Sequence, residues 1–139
     1  MRAGGLEETV LTTATKTDVR ARRVLLIEDD TASAQALSEM LELEGYEVRA
    51  VRNGADAIDV LHTFTPDAVV VDLQLPVMDG RSFIELYRRR VRPAASIIVM
   101  SGRSDGRAIA QSVGAEGYVA KPVEVDELLR ALSLSLAVS

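Results

Sequence analysis

Short apolar runs alternate with longer segments of helical spacing from residue 22 onward. Short apolar runs are typical of buried strands, and apolar residues that recur every three or four positions are typical of amphipathic helices. Five such pairs follow one another, which is the pattern of repeated βα units. The runs predict strands at about 23–28, 47–51, 68–72, 96–100 and 117–120. The segments between and after them predict helices at about 31–44, 55–63, 80–91, 105–113 and 124–137.

The predicted helices have apolar faces and residues that end them. Gly45 follows the first helix as a C-terminal cap, and Pro93 prevents the third from continuing. One face of the first helix is marked by Ala34, Leu37, Met40, Leu41 and Glu44. One face of the last helix is marked by Val125, Leu128, Leu129, Leu132 and Leu136. These faces are expected to cover the sheet.

The strands are almost entirely apolar, which indicates a parallel sheet covered by helices on both sides. Right-handed crossovers would join the units into a doubly wound α/β sandwich. We expect five parallel strands in the order 2-1-3-4-5. Ligands of such folds bind beyond the carboxyl ends of the strands, where the strand order reverses. That place lies between strands one and three.

Composition fits one compact domain with an aliphatic core. The chain has 139 residues, of which 47% are hydrophobic and 4% aromatic. Residues 1–21 show no sustained periodicity and are predicted to be a disordered extension, with a short helix or a partner-docking arm as the alternative. Residues 22–139 form the predicted domain. The absence of cysteine excludes disulfides and thiolate metal sites and permits a reducing compartment.

The charge is acidic but unevenly distributed. The formal net charge is −5, yet residues 1–23 carry five basic and three acidic side chains, so the remaining residues carry a net −7. An acidic body argues against nonspecific binding to nucleic acid. The sequence contains neither an apolar run long enough to cross a bilayer nor a secretory signal. We therefore expect a soluble, cytoplasmic protein.

Three carboxylates follow strands that would be parallel neighbours. Glu28 and Asp29 come after strand one, and Asp72 ends strand three. Unit charges about 4 Å apart at an effective dielectric near 20 interact by roughly 4 kcal/mol per pair, so such a crevice calls for a cation. Carboxylate oxygens suit Mg²⁺, which usually takes only one or two protein carboxylates. The remaining acid would be free for chemistry.

Two further polar groups stand at strand ends, Ser101 after strand four and Lys121 after strand five. A single strand-end aspartate is more often a turn residue or a helix cap, and a lone serine or lysine is usually solvated. The joint occurrence of these groups on strands one, three, four and five is much stronger evidence for a functional site.

Four motifs carry a resemblance to a known family. They are Leu26-Ile27-Glu28-Asp29-Asp30, Val71-Asp72-Leu73-Gln74-Leu75-Pro76-Val77-Met78-Asp79-Gly80, Val99-Met100-Ser101-Gly102 and Gly117-Tyr118-Val119-Ala120-Lys121-Pro122. In order and spacing, over roughly residues 22–137, they resemble the receiver domains of bacterial response regulators. The resemblance implies the flavodoxin-like (βα)5 fold and a role in two-component or phosphorelay signalling.

The resemblance assigns roles to these residues. Asp72 would accept a phosphoryl group from a phosphohistidine on a sensor histidine kinase or a histidine phosphotransfer protein. Mg²⁺, for which Mn²⁺ can substitute, would bind Glu28, Asp29, Asp72 and the backbone carbonyl of Gln74. Lys121 would contact the transferred phosphoryl group. The chain would catalyse only its own phosphotransfer and dephosphorylation.

The resemblance also implies a switch and a means of rate control. Ser101 would move toward the phosphoryl group and Tyr118 would swing inward behind it, which would reshape the surface of helix 4, strand 5 and helix 5 for an unknown downstream protein. Gln74 and Arg103 occupy the positions that tune phosphate loss. The stretch from Ser101 to Gly114 is about two residues shorter than in many relatives, which implies an atypical output face.

Several residues have simpler interpretations, and two other functions remain open. Asp30 is expected to cap a helix, His62 to lie at the surface or in packing, and the arginines at 88–92 to complement a helix dipole. The chain could instead be a phosphate-independent adaptor, although the full set of site residues argues against that. A small enzyme or flavin binder lacks support, because no Gly-x-Gly-x-x-Gly or Walker-type loop is present. No attached output domain is expected.

Overall fold

The structure is a computed structural model that describes residues 21–137. The strands are β1 (Arg23–Ile27), β2 (Glu47–Val51), β3 (Ala68–Asp72), β4 (Ser96–Ser101) and β5 (Gly117–Ala120). The helices are α1 (Thr31–Leu43), α2 (Gly54–Val60), α3 (Gly80–Arg90), α4 (Gly106–Ser112) and α5 (Val125–Ala137). Apart from Ala21, the predicted disordered extension lies outside the described residues.

The five strands form one parallel sheet in the order β2-β1-β3-β4-β5, which confirms the predicted flavodoxin-like topology. In the register of the two central strands, Ile27 lies beside Val71. The next residues, Glu28 and Asp72, therefore leave the sheet at the same level. The predicted convergence of the strand-end acids follows directly from this register.

Alternate strand residues enter two separate apolar clusters, because successive side chains of a strand point to opposite faces. Leu25 and Val69 belong to the cluster under α2, α3 and α4. Leu26 and Val70 belong to the cluster under α1 and α5. Burial on both faces explains why the central strands contain almost no polar residues before their last positions.

Three predicted strands, at 47–51, 68–72 and 117–120, have the observed bounds, and the other elements differ by one to three residues at an end. The largest difference is in α2, which ends at Val60 because the next residues continue in turns. The buried face of α1 is narrower than the predicted apolar face. Leu37 and Leu41 are buried, whereas Met40 is 42% exposed and Glu44 lies outside the helix as its C-terminal cap.

The simpler interpretations of two polar residues agree with the structure. Asp30 caps α1, since its carboxylate accepts a hydrogen bond from the backbone N–H of Ser33 at 2.9 Å. That bond and a second one from the Ser33 hydroxyl hold the pKa of Asp30 below its usual value. His62 is exposed, and its Nδ1 lies 3.0 Å from the carbonyl oxygen of Asp59.

Arg88 has a more specific role than the dipole interaction predicted for it. Its guanidinium leaves α3 and donates to the carbonyls of Val113, at 2.7 Å, and Gly114, at 2.8 Å. These groups lie at the C-terminal end of α4, where helix carbonyls have no partner within the helix. Arg88 therefore joins the end of α3 to the end of α4. Within residues 21–137, no helix combines the length and apolar character that crossing a bilayer requires.

Candidate functional site

The three strand-end carboxylates meet at the carboxyl edge of the sheet. Glu28, Asp29 and Asp72 each place one carboxylate oxygen within 4.8 Å of the others. Glu28 and Asp72 are only 1% and 4% exposed, whereas Asp29 is half-buried. Three oxygen donors of this kind suit a hard divalent cation, so the residues present fit a metal ion.

Lys121 supplies positive charge to this cluster. Its Nζ lies 2.7 Å from Oε1 of Glu28 and also contacts Oδ2 of Asp72. The ammonium therefore bridges the acid after β1 and the acid that ends β3. The peptide bond between Lys121 and Pro122 is cis, an isomer that the sequence alone did not decide.

The pKa of Lys121 reflects two opposing causes. Burial is the largest single cause and lowers it, because removal from water disfavours the ammonium. The hydrogen bonds and negative charges of Asp72 and Glu28 together outweigh burial, so the pKa of Lys121 lies above its ordinary value. Lys121 is therefore a firmly charged partner of the two carboxylates at neutral pH.

The loop after β3 orients the second oxygen of Asp72. Oδ1 accepts a hydrogen bond from the backbone N–H of Gln74 at 2.9 Å. Gly80 closes this loop against the end of β3, since a Cβ at that position would lie 2.2 Å from the backbone oxygen of Asp72. Only glycine permits so close an approach. The Asp72 carboxylate is thus held on one side by backbone and on the other by Lys121.

Ser101 lies at the end of β4 and is 1% exposed. Its Oγ accepts a hydrogen bond from the backbone N–H of Arg103 at 3.0 Å, and its carbonyl accepts one from the N–H of Lys121 at 2.9 Å. Asp72 and Ser101 lie on adjacent strands, with Asp72 beside Met100 in the register. The serine hydroxyl therefore stands one residue further along the neighbouring strand.

Tyr118 packs against the same strand end from β5. Its hydroxyl donates to the carbonyl of Ser101 at 3.4 Å, and the guanidinium of Arg107 lies 4.8 Å from its ring centroid. A Cβ on Gly106 would lie 2.7 Å from Ser101 Oγ and 2.8 Å from the Tyr118 hydroxyl. The start of α4 therefore touches both residues that the sequence predicts to move.

The structure brings together most of the predicted site residues. Five side chains gather at the carboxyl ends of strands, namely those of Glu28, Asp29, Asp72, Ser101 and Lys121. The predicted rate-tuning residues lie at the rim, where Gln74 and Arg103 are exposed. The effect of these two residues on phosphate loss remains a prediction. The contact of the Gln74 carbonyl with a metal ion also remains a prediction.

Sequence reasoning missed the contacts at the start of α4. Arg103 binds Asp105 through Nε at 2.8 Å and Nη2 at 2.9 Å, and Arg107 stacks on Tyr118. The spacing Arg-x-Asp was a visible signal for the first contact, but such pairs are common in solvated loops. Nothing in the periodicity indicated that Gly106 would pack against Ser101 and Tyr118.

Comparison with known proteins agrees with this geometry. A family model described as the response regulator receiver domain matches residues 24–133. The transcriptional regulatory protein PrrA of Mycobacterium tuberculosis is 35% identical over 115 residues, covering 81% of this chain and 49% of that protein. PrrA of Mycobacterium leprae matches to the same extent. The chain thus spans about half the length of these relatives.

Solved structures show the same fold over most of the chain. The CheY-like receiver domain protein of Methanospirillum hungatei has a TM-score of 0.76 and 27% identity, covering 84% of this chain and 94% of that one. The chemotaxis response regulator CheY4 of Vibrio cholerae has a TM-score of 0.76 and 26% identity, covering 84% and 99%. By its family match, its fold and its strand-end residues, the chain belongs to the receiver domains of two-component response regulators.

Proposed function

We propose that this chain is a phosphorylatable receiver in which Asp72 accepts a phosphoryl group from the phosphohistidine of a partner protein. The partner would be a sensor histidine kinase or a histidine phosphotransfer protein. The observation that carries the proposal is the environment of Asp72, a buried carboxylate that contacts Lys121 and lies among two further acids. A cysteine-free chain suits the reducing cytoplasm as its location.

The reaction requires little covalent chemistry from the protein. An oxygen of Asp72 attacks phosphorus, the bond between phosphorus and the imidazole nitrogen breaks, and its electron pair stays on that nitrogen. The Gln74 N–H fixes one Asp72 oxygen at 2.9 Å, so the carboxylate is already oriented. Positioning and charge stabilisation account for most catalysis of phosphoryl transfer.

Lys121 and Ser101 are suited to receive the transferred group. The ammonium of Lys121 already contacts Asp72, so it can follow the new phosphoryl oxygens as negative charge accumulates there. The hydroxyl of Ser101 can rotate to donate to one of those oxygens, since it now accepts from the Arg103 N–H. Both groups would then contact the phosphoryl group rather than their present partners.

Mg²⁺ is the metal ion that we propose for the acidic cluster, with Mn²⁺ as a substitute. Asp29, Asp72, Glu28 and the backbone carbonyl of Gln74 would hold it. When bound, a divalent ion offsets the repulsion between the carboxylates and the incoming phosphoryl oxygens. The half-buried Asp29 would be the most accessible of these ligands, because Glu28 is buried against Lys121.

Output would pass through Ser101 and Tyr118 to the surface of α4, β5 and α5. The hydroxyl of Tyr118 reaches the Ser101 carbonyl, and the first residue of α4 touches both side chains. A shift of Ser101 toward a phosphoryl group would therefore disturb Tyr118 and α4 together. The downstream target would be a protein that reads this surface, and the chain would act on no substrate other than its own phosphoryl group.

The direct test is to incubate the protein with Mg²⁺ and acetyl phosphate and to measure the intact mass. One added phosphoryl group is expected in the wild type and none in Asp72→Asn. Asp59→Asn, which alters an exposed aspartate on α2, is the matched control and should behave as the wild type. Absence of the adduct in the wild type, or an unchanged adduct in Asp72→Asn, would overturn the proposal.

The metal assignment has its own test. Asp29→Asn removes one anionic oxygen ligand from the cluster, so the affinity for Mg²⁺ should fall, as measured by calorimetric titration of the unphosphorylated protein. Asp59→Asn should leave it unchanged. Equal affinities of Asp29→Asn and wild type would remove Asp29 from the ligand set.

A further inference from the structure

The loop between β4 and α4 holds an arginine beside the phosphoacceptor site. The backbone N–H of Arg103 donates to Ser101 Oγ at 3.0 Å. Its guanidinium forms two nearly parallel hydrogen bonds with the carboxylate of Asp105, from Nε at 2.8 Å and from Nη2 at 2.9 Å. This fork-on-fork arrangement fixes the direction of the guanidinium as well as its position.

Asp105 makes different hydrogen bonds from the N-cap residues of α1, α2 and α3. Asp30, Asn53 and Asp79 precede α1, α2 and α3, and each accepts a hydrogen bond from a backbone N–H of the first turn. Asp105 stands at the same place before α4 but makes no such bond. Its carboxylate is turned to Arg103 instead. The chain thus gives up a helix cap, which is typically worth about 1 kcal/mol, to hold this arginine.

Arg103 also lines a cleft beside the site. The cleft has a volume of about 470 Å³, and its lining includes Gln74, Leu75 and Ile109 of α4. Gln74 is the residue whose N–H orients Asp72. The arginine is therefore hydrogen-bonded to Ser101 through its backbone and shares a cleft with Gln74.

We propose that Asp105 is a positioning residue that competes with the phosphoryl group for Arg103. A phosphoryl group on Asp72 would add a charge of about −1.5 to −2 with three strong acceptor oxygens, and arginine binds such groups in a bidentate manner. The Arg103–Asp105 pair is exposed on both sides, so it is readily exchanged. This inference rests on the proposed function.

The consequence concerns hydrolysis of the acyl phosphate. In that step the oxygen of water bonds to phosphorus, the bond from phosphorus to the Asp72 oxygen breaks, and its electron pair leaves on the Asp72 carboxylate. Water loses a proton to solvent, and inorganic phosphate is released. A guanidinium bound across the phosphoryl oxygens obstructs the approach of that water. Asp105, by retaining Arg103, shortens the lifetime of the phosphorylated protein.

A double-mutant cycle on the dephosphorylation rate tests this competition. Each protein is phosphorylated with acetyl phosphate and Mg²⁺, the donor is removed, and loss of the adduct is followed by intact mass. Asp105→Asn should slow the loss about two- to fivefold, the range that release of one exposed ion pair allows. Arg103→Ala should accelerate it. The double variant should match Arg103→Ala, because Asp105 acts only through the arginine.

Two further variants separate this role from a general effect on the loop. Asp105→Ser can cap α4 but cannot hold a guanidinium, so it should slow dephosphorylation as Asp105→Asn does. Glu85→Gln releases Arg81 from the exposed pair on α3, where the two groups are 3.7 Å apart beside the same cleft, and should leave the rate unchanged. If Asp105 had a purely structural role, Asp105→Asn would change the dephosphorylation rate by the same factor with and without Arg103.

The outcomes distinguish this proposal from the one on which it rests. A wild-type protein that takes up no phosphoryl group contradicts both. Two outcomes would contradict only the competition between Asp105 and the phosphoryl group, given normal uptake. In one, Asp105→Asn changes the dephosphorylation rate even in the Arg103→Ala background. In the other, Asp105→Asn does not change that rate at all.

Discussion

Lys121 and Glu28 form an ion pair between groups that follow non-adjacent strands, with Nζ 2.7 Å from Oε1. Lys121 follows the edge strand β5 and Glu28 follows β1, so the lysine side chain extends over the ends of β4 and β3. The other oxygen of Glu28 accepts the N–H of Asp30 at 3.0 Å. Each oxygen of this carboxylate, which is 1% exposed, therefore has a hydrogen-bond donor, Lys121 Nζ for one and the Asp30 N–H for the other.

Removal of this ammonium should destabilise the protein in a way that metal corrects. Lys121→Met leaves Glu28 and Asp72 buried without their cation, which we expect to lower the free energy of unfolding by about 1–3 kcal/mol, less than for a fully buried pair because Lys121 is partly exposed. Saturating Mg²⁺ should recover much of the loss, because the proposed metal site exists only in the folded state and binding there would stabilise it. Urea unfolding with and without MgCl₂ measures both.

The matched control is Arg81→Met, which breaks the exposed pair with Glu85 and should change the free energy of unfolding by less than about 1 kcal/mol. Equal losses for Lys121→Met with and without Mg²⁺ would show that the metal and the ammonium do not share the same carboxylates.

The free energy of unfolding should fall at alkaline pH, and deprotonation of Lys121 should cause part of that fall. A group whose pKa is higher in the folded state contributes its full stability below its unfolded pKa and loses that contribution as pH rises through the folded pKa. The pKa of Lys121 is raised from 10.5, and burial raises the pKa of Tyr87 from 10.0. We therefore expect a plateau up to about pH 9 and a decline above the unfolded pKa values.

Variants of Lys121 and Tyr87 show how much each residue contributes to the decline in the free energy of unfolding. Urea unfolding of Lys121→Met between about pH 8 and pH 11, the range around the lysine and tyrosine pKa values, should show a shallower fall in the free energy of unfolding than that of the wild type. Tyr87→Phe should remove the contribution of Tyr87 over the same pH range. A fall of unchanged steepness in Lys121→Met would mean that the folded protein does not hold the ammonium as proposed.

Gly106→Ala should be destabilising although alanine is the better helix former. A Cβ there would lie 2.7 Å from Ser101 Oγ and 2.8 Å from the Tyr118 hydroxyl, so both side chains would have to move. Overpacking of this kind costs about 1–3 kcal/mol, whereas helix propensity alone would favour alanine by about 1 kcal/mol. The sign of the change in the free energy of unfolding therefore decides whether α4 is packed this tightly.

Gly102→Ala is the control for that measurement. Its added Cβ would meet only Lys121 Cβ at 3.6 Å, an ordinary contact, so we expect a change near zero. Stabilisation by Gly106→Ala would show that α4 lies further from Ser101 than described.

Val77→Gly should stabilise the protein. Val77 has φ of 65°, and the N–H of Met78 donates to the carbonyl of Pro76 at 2.7 Å, which makes Val77 the centre of a three-residue γ-turn. This backbone conformation is rare and strained, most of all for a β-branched residue. Because the side chain is 86% exposed, its removal loses little burial. We expect a net gain of about 1 kcal/mol in the free energy of unfolding.

Val77→Ala serves as the comparison, because alanine keeps a Cβ in the left-handed region and should gain less than glycine. Val91→Gly, at a φ of −120°, should be destabilising. A loss of stability in Val77→Gly would mean that the valine side chain makes contacts that outweigh its backbone strain.

The sequence was sufficient to predict the sheet order and the convergence of the strand-end acids. The order follows from the resemblance to a known family, and the convergence follows from the geometry of parallel strands, as the pairing of Ile27 with Val71 illustrates. The structure places Lys121 beside Asp72, as the strand-end pattern predicts, but its bridge to Glu28 was not foreseen. That contact depends on the direction of a long side chain above the sheet, which no periodicity records.

Contacts between helix ends were also beyond sequence reasoning. Arg88 lies in a run of arginines, and nothing in the run shows which member reaches Val113 and Gly114. Met40 matched the helical spacing of α1 and is nevertheless 42% exposed, because the width of the buried stripe depends on what packs against it. Tertiary placement decided each of these cases.

The hydrogen bonds of Arg88 to the Val113 and Gly114 carbonyls hold the C-terminal end of α4 in place. The helix has seven residues and is therefore about 10 Å long, with its last turn joined to α3 and its first turn against Ser101 and Tyr118. Sliding of the whole helix would break the two hydrogen bonds that Arg88 makes, so we expect a push on the first turn to tilt the helix about Val113. A partner that binds the first turn of α4 together with its neighbours would respond to that tilt. A partner that binds only the end held by Arg88 would not.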